Sequence, residues 1–246
     1  YHWHWLWRLG NGALGNNGIH RIDGARMALD LKGHGDLTLS MGGRYGPKDS
    51  GETPNNMLTL HKFGDTWILQ DILGLKPKPF HGLENAIVFY GSKGTIVYKT
   101  GYAALVDGDF KEIERFEGKQ QNHYDDFLKA VAKDDPKAVR GDLAEAILSG
   151  ALCHFGNISY RVGKLSNFDD AAHQLRDLKV PEIVSDRLNA LKENLDQNGL
   201  GPEIMIGDVL YHSDNMANPV GNNPAAINLL STTYRKGYAL PTVADV

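Results

Sequence analysis

A single cysteine, Cys153, stands in the 246 residues, so no disulfide can form within the chain. It lies in an apolar stretch, where a buried and inert thiol is expected. No apolar run approaches the roughly 20 residues that span a bilayer. Basic residues are not massed either. Lys and Arg total 26 against 30 Asp and Glu, a net charge of -4, and the cations fall in scattered pairs such as Arg235-Lys236. Broad nucleic-acid binding through phosphates is therefore not expected. The chain opens on Tyr-His-Trp-His-Trp-Leu-Trp, without an initiator Met or a basic leader. That opening reads as the interior of a longer product and not as a signal peptide. A cytoplasmic location and, with a leader removed upstream, a periplasmic one both stay open.

What is present is a 41% hydrophobic chain, enough for one large core or two modest ones. Residues 1–9 alternate, with Trp3, Trp5 and Trp7 on one parity, which predicts a strand. Residues 10–18 read as a glycine- and asparagine-rich loop. Residues 19–31 read as a helix on Ile19, Ile22, Ala25 and Leu29, with Asn17 available to cap it. Strands are predicted over 36–41, 57–63, 66–72, 85–90, 94–99 and 102–106, joined by short turns such as Gly64-Asp65. Helices follow over 121–134, 142–162 and 182–197. Residues 198–224 read as loop with one short element near 204–210, and 238–240 as a last edge strand. Close strands with short turns and no helical crossovers predict an α+β fold, a predominantly antiparallel open sheet with helices packed on one face.

Gly10-Asn-Gly12-Ala-Leu-Gly15 matches the dinucleotide pattern GxGxxG, with Asp30 or Asp36 as the later acid. A nucleotide-binding unit needs repeated strand–helix crossovers, and the following 80 residues read as hairpins instead. The loop is more simply a tight turn that brings polar side chains to a ligand. Asn11, Asn16 and His20 carry donors and acceptors suited to sugar hydroxyls. Asp23, three residues after His20, is placed to orient its imidazole, in competition with Arg21 and Arg26. Arg44 either meets a substrate or pairs with Asp49 or Glu52. His154, Asn157 and Arg161 recur at i, i+3 and i+7, a polar strip beside an apolar seam. His2 and His4 share a parity with no further cluster to complete a metal site.

Gly12-Ala-Leu-Gly-Asn16-Asn-Gly18-Ile-His20-Arg-Ile-Asp23 resembles the signature of the Gfo/Idh/MocA oxidoreductases. Trp3-His-Trp5-Leu-Trp-Arg8-Leu-Gly-Asn11-Gly resembles its bacterial subgroup. Gly42-Gly-Arg44-Tyr45 with Gly51-Glu52-Thr53-Pro54, Ala151-Leu-Cys-His154-Phe-Gly-Asn157-Ile-Ser-Tyr160-Arg161, and Tyr234-Arg-Lys-Gly-Tyr-Ala-Leu-Pro241 resemble three further stretches. Residues 170–225 match loosely. The resemblance implies that residues 1–246 are a C-terminal, dihydrodipicolinate-reductase-like substrate-binding and oligomerisation domain, with a variable insertion at about 170–225. The same resemblance implies that a Rossmann domain of the parent protein lies outside this chain. It implies hydride exchange between NAD or NADP and a sugar or cyclitol, with no cofactor held by this chain alone, and a homo-oligomer formed through the sheet face. It makes His20 and Asp23 catalytic and Arg8, Asn11, Asn16, Arg44, His154, Asn157 and Arg161 substrate-binding. Asn16 stands where the family more often has Asp. NAD-assisted glycoside cleavage and a non-catalytic carbohydrate-binding module remain as alternatives.

Overall fold

The computed structural model describes residues 2–76, 79–119, 122–139, 141–213, 219–221, 223–231 and 237. Its centre is a six-stranded antiparallel sheet. Strand β1 (Leu37–Gly43) lies in the middle with all seven residues buried. On one side it pairs with β2 (Asn56–Phe63), which pairs with β3 (Thr66–Leu73) through the Gly64-Asp65 turn. On the other side lie β9 (Glu203–Ile206), then β8 (Lys164–Asn167), while β10 (Leu210–Tyr211) pairs with the start of β1. The short element foreseen near 204–210 is thus two short strands. A second sheet is a four-stranded meander of β4 (Ile87–Gly91), β5 (Gly94–Lys99), β6 (Tyr102–Val106) and β7 (Glu112–Glu117). The sequence reading missed β7, because Glu-Ile-Glu-Arg-Phe-Glu is exposed at every position.

Alternation along the strands sends two sets of side chains to opposite faces. Leu39, Met41, Leu58 and Leu60 meet α4 (Phe168–Asp177) and α5 (Glu182–Gln197) through Phe168, Leu175, Leu188, Leu191 and Leu195. Met57 and Ile68 meet α1 (Ile19–Ala28) and α3 (Leu143–Val162) through Ile22, Leu152, Phe155 and Ile158. The predicted α+β arrangement, antiparallel and open at its edges, is present with α1 and α3 on one face. The loosely matched insertion adds α4 and α5 on the other. Three of the helix starts are specified by a local side-chain cap. Asn122 caps α2 (His123–Lys133), Asp142 caps α3 and Asn167 caps α4, each accepting a backbone N–H from its first turn. A four-residue helix, α6 (Pro224–Ile227), follows late in the chain. The strand foreseen over 238–240 lies outside the described residues.

Two N-terminal expectations are corrected. Residues 2–9 form no strand. They fold into a 3-10 turn (His2–Trp5) and successive tight turns, with Leu9 N and Gly10 N both donating to Leu6 O. Alternation needs a strand partner to express itself, and this segment instead docks on a loop, where Glu52 N and Thr53 N donate to Trp5 O. Residues 10–18 are not a loop throughout. Helical backbone begins at residues 12–13, passes through a π-helical turn (Leu14–Gly18) and continues as α1. Asn17 therefore lies inside the helical run and caps nothing.

The face under α1 and α3 carries a buried polar layer. Gln70 Nε2 donates to Gly18 O at 3.1 Å, which leaves Gln70 Oε1 to accept from His61 Nε2 at 3.2 Å. His61 Nδ1 then accepts from the Thr38 hydroxyl at 2.8 Å, and Thr38 Oγ1 accepts from His212 Nε2 at 2.9 Å. Burial pushes the pKa of His61 down to about 3 and that of His212 to about 4, from an ordinary 6.5. Both are neutral in the folded chain, whereas the unfolded chain binds protons below about pH 6.5. Their contribution is thus whole above pH 6.5 and is lost as pH falls toward 4 and 3, with a slope of up to about 1.4 kcal/mol per pH unit per histidine. Urea denaturation of the chain from pH 7.5 to 4.5 should follow this slope, and His61→Gln should make the dependence shallower.

Candidate functional site

The helical run of residues 12–28 packs antiparallel on α3. Leu14 meets Gly156, Asp23 meets Ser149, and Arg26 meets Glu145. Close approach at the first point requires glycine. A Cβ on Gly156 would lie 2.6 Å from Leu14 Cδ2 and 2.7 Å from Thr59 Cγ2. His20 sits between the first and second contacts and is exposed.

Asp23 does not hold that imidazole. Its Oδ1 accepts from the Ser149 hydroxyl at 2.7 Å. Ser149 Oγ accepts from Arg26 Nη1 at 2.7 Å, so serine stands between the acid and the arginine that the sequence set in competition for it. Arg26, 2% exposed, also donates to Glu145 O, Glu145 Oε2 and Leu31 O. The result is a clamp between α1 and α3, carried by a buried cation that needs all of these acceptors. Ser149 and Glu145 gave no functional signal in the sequence, since a serine and a glutamate on a long helix read as a solvated face.

A second group gathers at the C-terminal half of α3. Asn157 Nδ2 donates to Asn11 O at 2.8 Å, and the Asn11 carboxamide lies against the Gly15 backbone. Asn16 is half-buried in the π-helical turn, a deviation that recurs at functional sites. Trp7 lies 6.4 Å from the Tyr160 ring, centroid to centroid, with the Arg161 guanidinium 5.2 Å from its own centroid. Arg8 is exposed. The predicted strip of His154, Asn157 and Arg161 divides, because Asn157 is buried while the other two are exposed.

Arg44 is engaged within its own loop. Its Nε and Nη2 donate to Asp49 at 3.0 and 2.6 Å, and Nη1 donates to Thr53 O at 3.1 Å. This guanidinium holds the Asp49 carboxyl below its usual pKa. Glu52, the other partner considered, accepts from Trp7 N at 2.7 Å. Thr53 in turn fills the space beside Gly12. Loop 44–53, the tryptophan segment and the start of the helical run thus form one unit around Asn11 and Asn157. Ser149 and Asn157 are about 12 Å apart along α3, and that length separates the Asp23 group from the Asn11 group.

Cys153 is buried and its thiol is pushed up to about 12 by burial, which makes it inert. Among the described residues no helix is long and apolar enough to cross a membrane, and no group of three or more His, Cys, Asp or Glu is arranged to hold a metal. Two shallow concavities, of about 230 and 450 Å³, are lined by Leu73, Phe80 and His81 with α5 and by Val209, Tyr211, Val220 and Asn223, and none of the nine predicted site residues lines either.

No protein-family model matches the chain, and no curated protein does. Solved structures do. A structure described as an oxidoreductase from Thermotoga maritima has 18% identity over 58% of this chain and 42% of its own, with a TM-score of 0.44. A further Thermotoga maritima oxidoreductase structure has 18% identity over 63% of this chain and 43% of its own, at 0.45. One from Yersinia pestis has 14% identity over 61% and 48%, at 0.39. The chain spans less than half the length of each. At these values the likeness is one of partial backbone layout.

The clamp and the exposed histidine separate in a stability experiment. Ser149→Ala, which strips a donor from Asp23 and an acceptor from Arg26, should destabilise the chain by about 1–3 kcal/mol. Arg26→Ala should cost at least as much. His20→Ala, at an exposed position, should stay within about 0.5 kcal/mol of the parent. Urea denaturation at pH 7.5 measures all three.

Proposed function

We propose that this chain is the substrate-binding part of a nicotinamide-dependent oxidoreductase that acts on a hydroxyl of a sugar or cyclitol, the nucleotide being carried by a separate Rossmann module. The observation that supports it most is His20, an exposed imidazole on a helix whose position is set by the Arg26–Ser149–Asp23 clamp. In this reading His20 accepts the proton of the reacting hydroxyl, a role suited to a histidine with access to solvent. Asp23 acts as a positioning residue through Ser149. Asn16, His154, Arg161 and Arg8 retain side chains for substrate hydroxyls. Asn11, Asn157 and Arg44 shape the wall on which those stand.

The glycine pattern of residues 10–15 does not fit a dinucleotide. Residues 2–9 before it form turns and no strand, Gly12 is packed against Thr53, and Gly15 is covered by the Asn11 carboxamide. NAD or NADP therefore has no seat at this loop, and no step of the chain's own chemistry passes through it. Hydride transfer needs donor and acceptor within about 3–3.5 Å, which the separate module has to arrange. Assembly of copies through a sheet, as the family resemblance implies, has the outer face of β4–β7 available, where Ile96, Tyr98 and Phe116 are exposed.

Two measurements test this. Titration of the chain with a panel of monosaccharides and cyclitols, followed by two-dimensional NMR, should shift the Asn16 and His20 resonances, and His20→Ala should retain the fold. No reduced nicotinamide should form when a bound sugar and NAD or NADP are mixed with the chain. Turnover by the chain alone, or shifts confined to other regions, would overturn the reading.

A further inference from the structure

The smaller of the two concavities, about 230 Å³, lies between the end of β3, the turn at Phe80-His81 and α5. Ala190, Asn194 and Gln197 recur at i, i+4 and i+7 with Glu193 beside them, so neighbouring positions of α5 line one side of it, and Arg187 stands one turn earlier. Two polar groups in this lining are left over by the fold. Asn194 is 5% exposed. Its Nδ2 donates to Lys76 O at 3.0 Å, and this acceptor fixes which way the carboxamide is turned. Its Oδ1 is buried and has no hydrogen-bond partner. A buried side-chain oxygen without a donor is uncommon and calls for an explanation. Arg187 has a side chain only 12% exposed. It donates through Nε to Asp71 Oδ2 at 2.6 Å, which leaves Nη1 and Nη2 without a partner among the described residues. Phe80 is held from three directions. The Arg187 guanidinium lies 5.0 Å from its centroid, and the Phe110 and His81 rings meet it edge-on at 5.6 and 4.5 Å. These groups are in place before a ligand arrives, which lowers the cost of binding one.

We propose that this concavity binds a neutral polyol of monosaccharide size, at a site separate from the one around His20. Charge excludes an anion, because Asp71 already pairs with Arg187 and Glu193 adds a second carboxylate at the rim. The unused groups ask for both kinds of partner. Asn194 Oδ1 and Glu193 accept, the Arg187 Nη groups donate, and the Gln197 carboxamide does either. Arg187 and Asn194 are seven residues apart, about 10 Å along the helix axis. A lone alcohol or a single amide reaches one of these positions. Hydroxyls on successive carbons, each both donor and acceptor, reach the two together, and the C–H face of the same molecule lies against Phe80. The volume falls below the roughly 300–1,000 Å³ of sites for larger ligands. About 12 non-hydrogen atoms at ordinary ligand efficiency give a Kd of about millimolar. This inference stands apart from the substrate reading and uses none of its residues.

Titration of the chain with D-glucose and with myo-inositol, followed by two-dimensional NMR, tests it, with benzamide and acetate as controls. The Asn194 side-chain amide and the Arg187 Nε–H signals should shift and saturate with at least one polyol, and should move little with either control. Ala190→Trp fills the cavity and should weaken this binding at least tenfold, with circular dichroism and urea denaturation unchanged. Gln197→Trp, at an exposed position, is a second way of filling it and should act in the same direction. Shifts at Asn16 and His20 report the other site and should persist in both variants, so the two readings fail separately. The proposal is overturned if neither polyol saturates the Asn194 and Arg187 signals by about 100 mM. Benzamide or acetate binding more tightly than the polyols overturns it as well, as does polyol binding at α5 that both tryptophan variants leave unchanged.

Discussion

Because Gly156 has no side chain, α3 lies directly on β1 and β2, and much of the rest of the molecule is registered against that contact. Leu14 and Thr59 occupy the space that a Cβ would take. One turn further on, the Ser159 hydroxyl accepts from Ser40 N and donates to Asp208 O, so α3 is sewn to the middle strand and to the segment between β9 and β10. Asn157 holds the backbone of Asn11, and Ser149 holds Asp23 and Arg26. With α3 seated, the helical run of residues 12–28 has one antiparallel path along it, and His20 falls between two fixed points.

The face beneath this helix pair is unusually polar for a core. Thr38, Ser40, Thr59, His61 and Gln70 are all buried there. Such groups are tolerated when each donor meets an acceptor. The chain of bonds from Gly18 O through Gln70, His61 and Thr38 to His212 meets that condition with neutral histidines. It also ties the π-helical turn to β1, β2 and β3. The opposite face is hydrocarbon, closed by α4 and α5 on Leu39, Met41, Leu58 and Leu60. One face is held by directional bonds and the other by area removed from water. The candidate site lies over the directional face, where positions are fixed most closely.

The cations most visible in the sequence are used within the fold. Arg26 is spent on Ser149, Glu145 and Leu31 O, and Arg44 on Asp49 and Thr53 O. Asn157 is likewise committed to Asn11. In the proposed reading these groups shape the wall, and His20, Asn16, His154, Arg161 and Arg8 are the side chains that would meet a ligand.

Much of the secondary structure was legible from periodicity and punctuation. The helix over 182–197, the hairpin at Gly64-Asp65 and the strands over 94–99 and 102–106 are where the apolar spacing puts them. These elements are decided by contacts near in sequence, which a one-dimensional pattern records. The tryptophan segment, the π-helical turn, and the fates of Asp23, Arg44 and Asn157 were settled by partners up to about 150 residues away, which such a pattern does not hold. Trp5 O finds Glu52 N, Asp23 finds Ser149, and Asn157 finds Asn11 O. The residues alone determined which side chains were available and which local elements they would form. The tertiary structure decided which of them were consumed in holding the fold, because a buried polar group must take whichever partner the packing brings within reach.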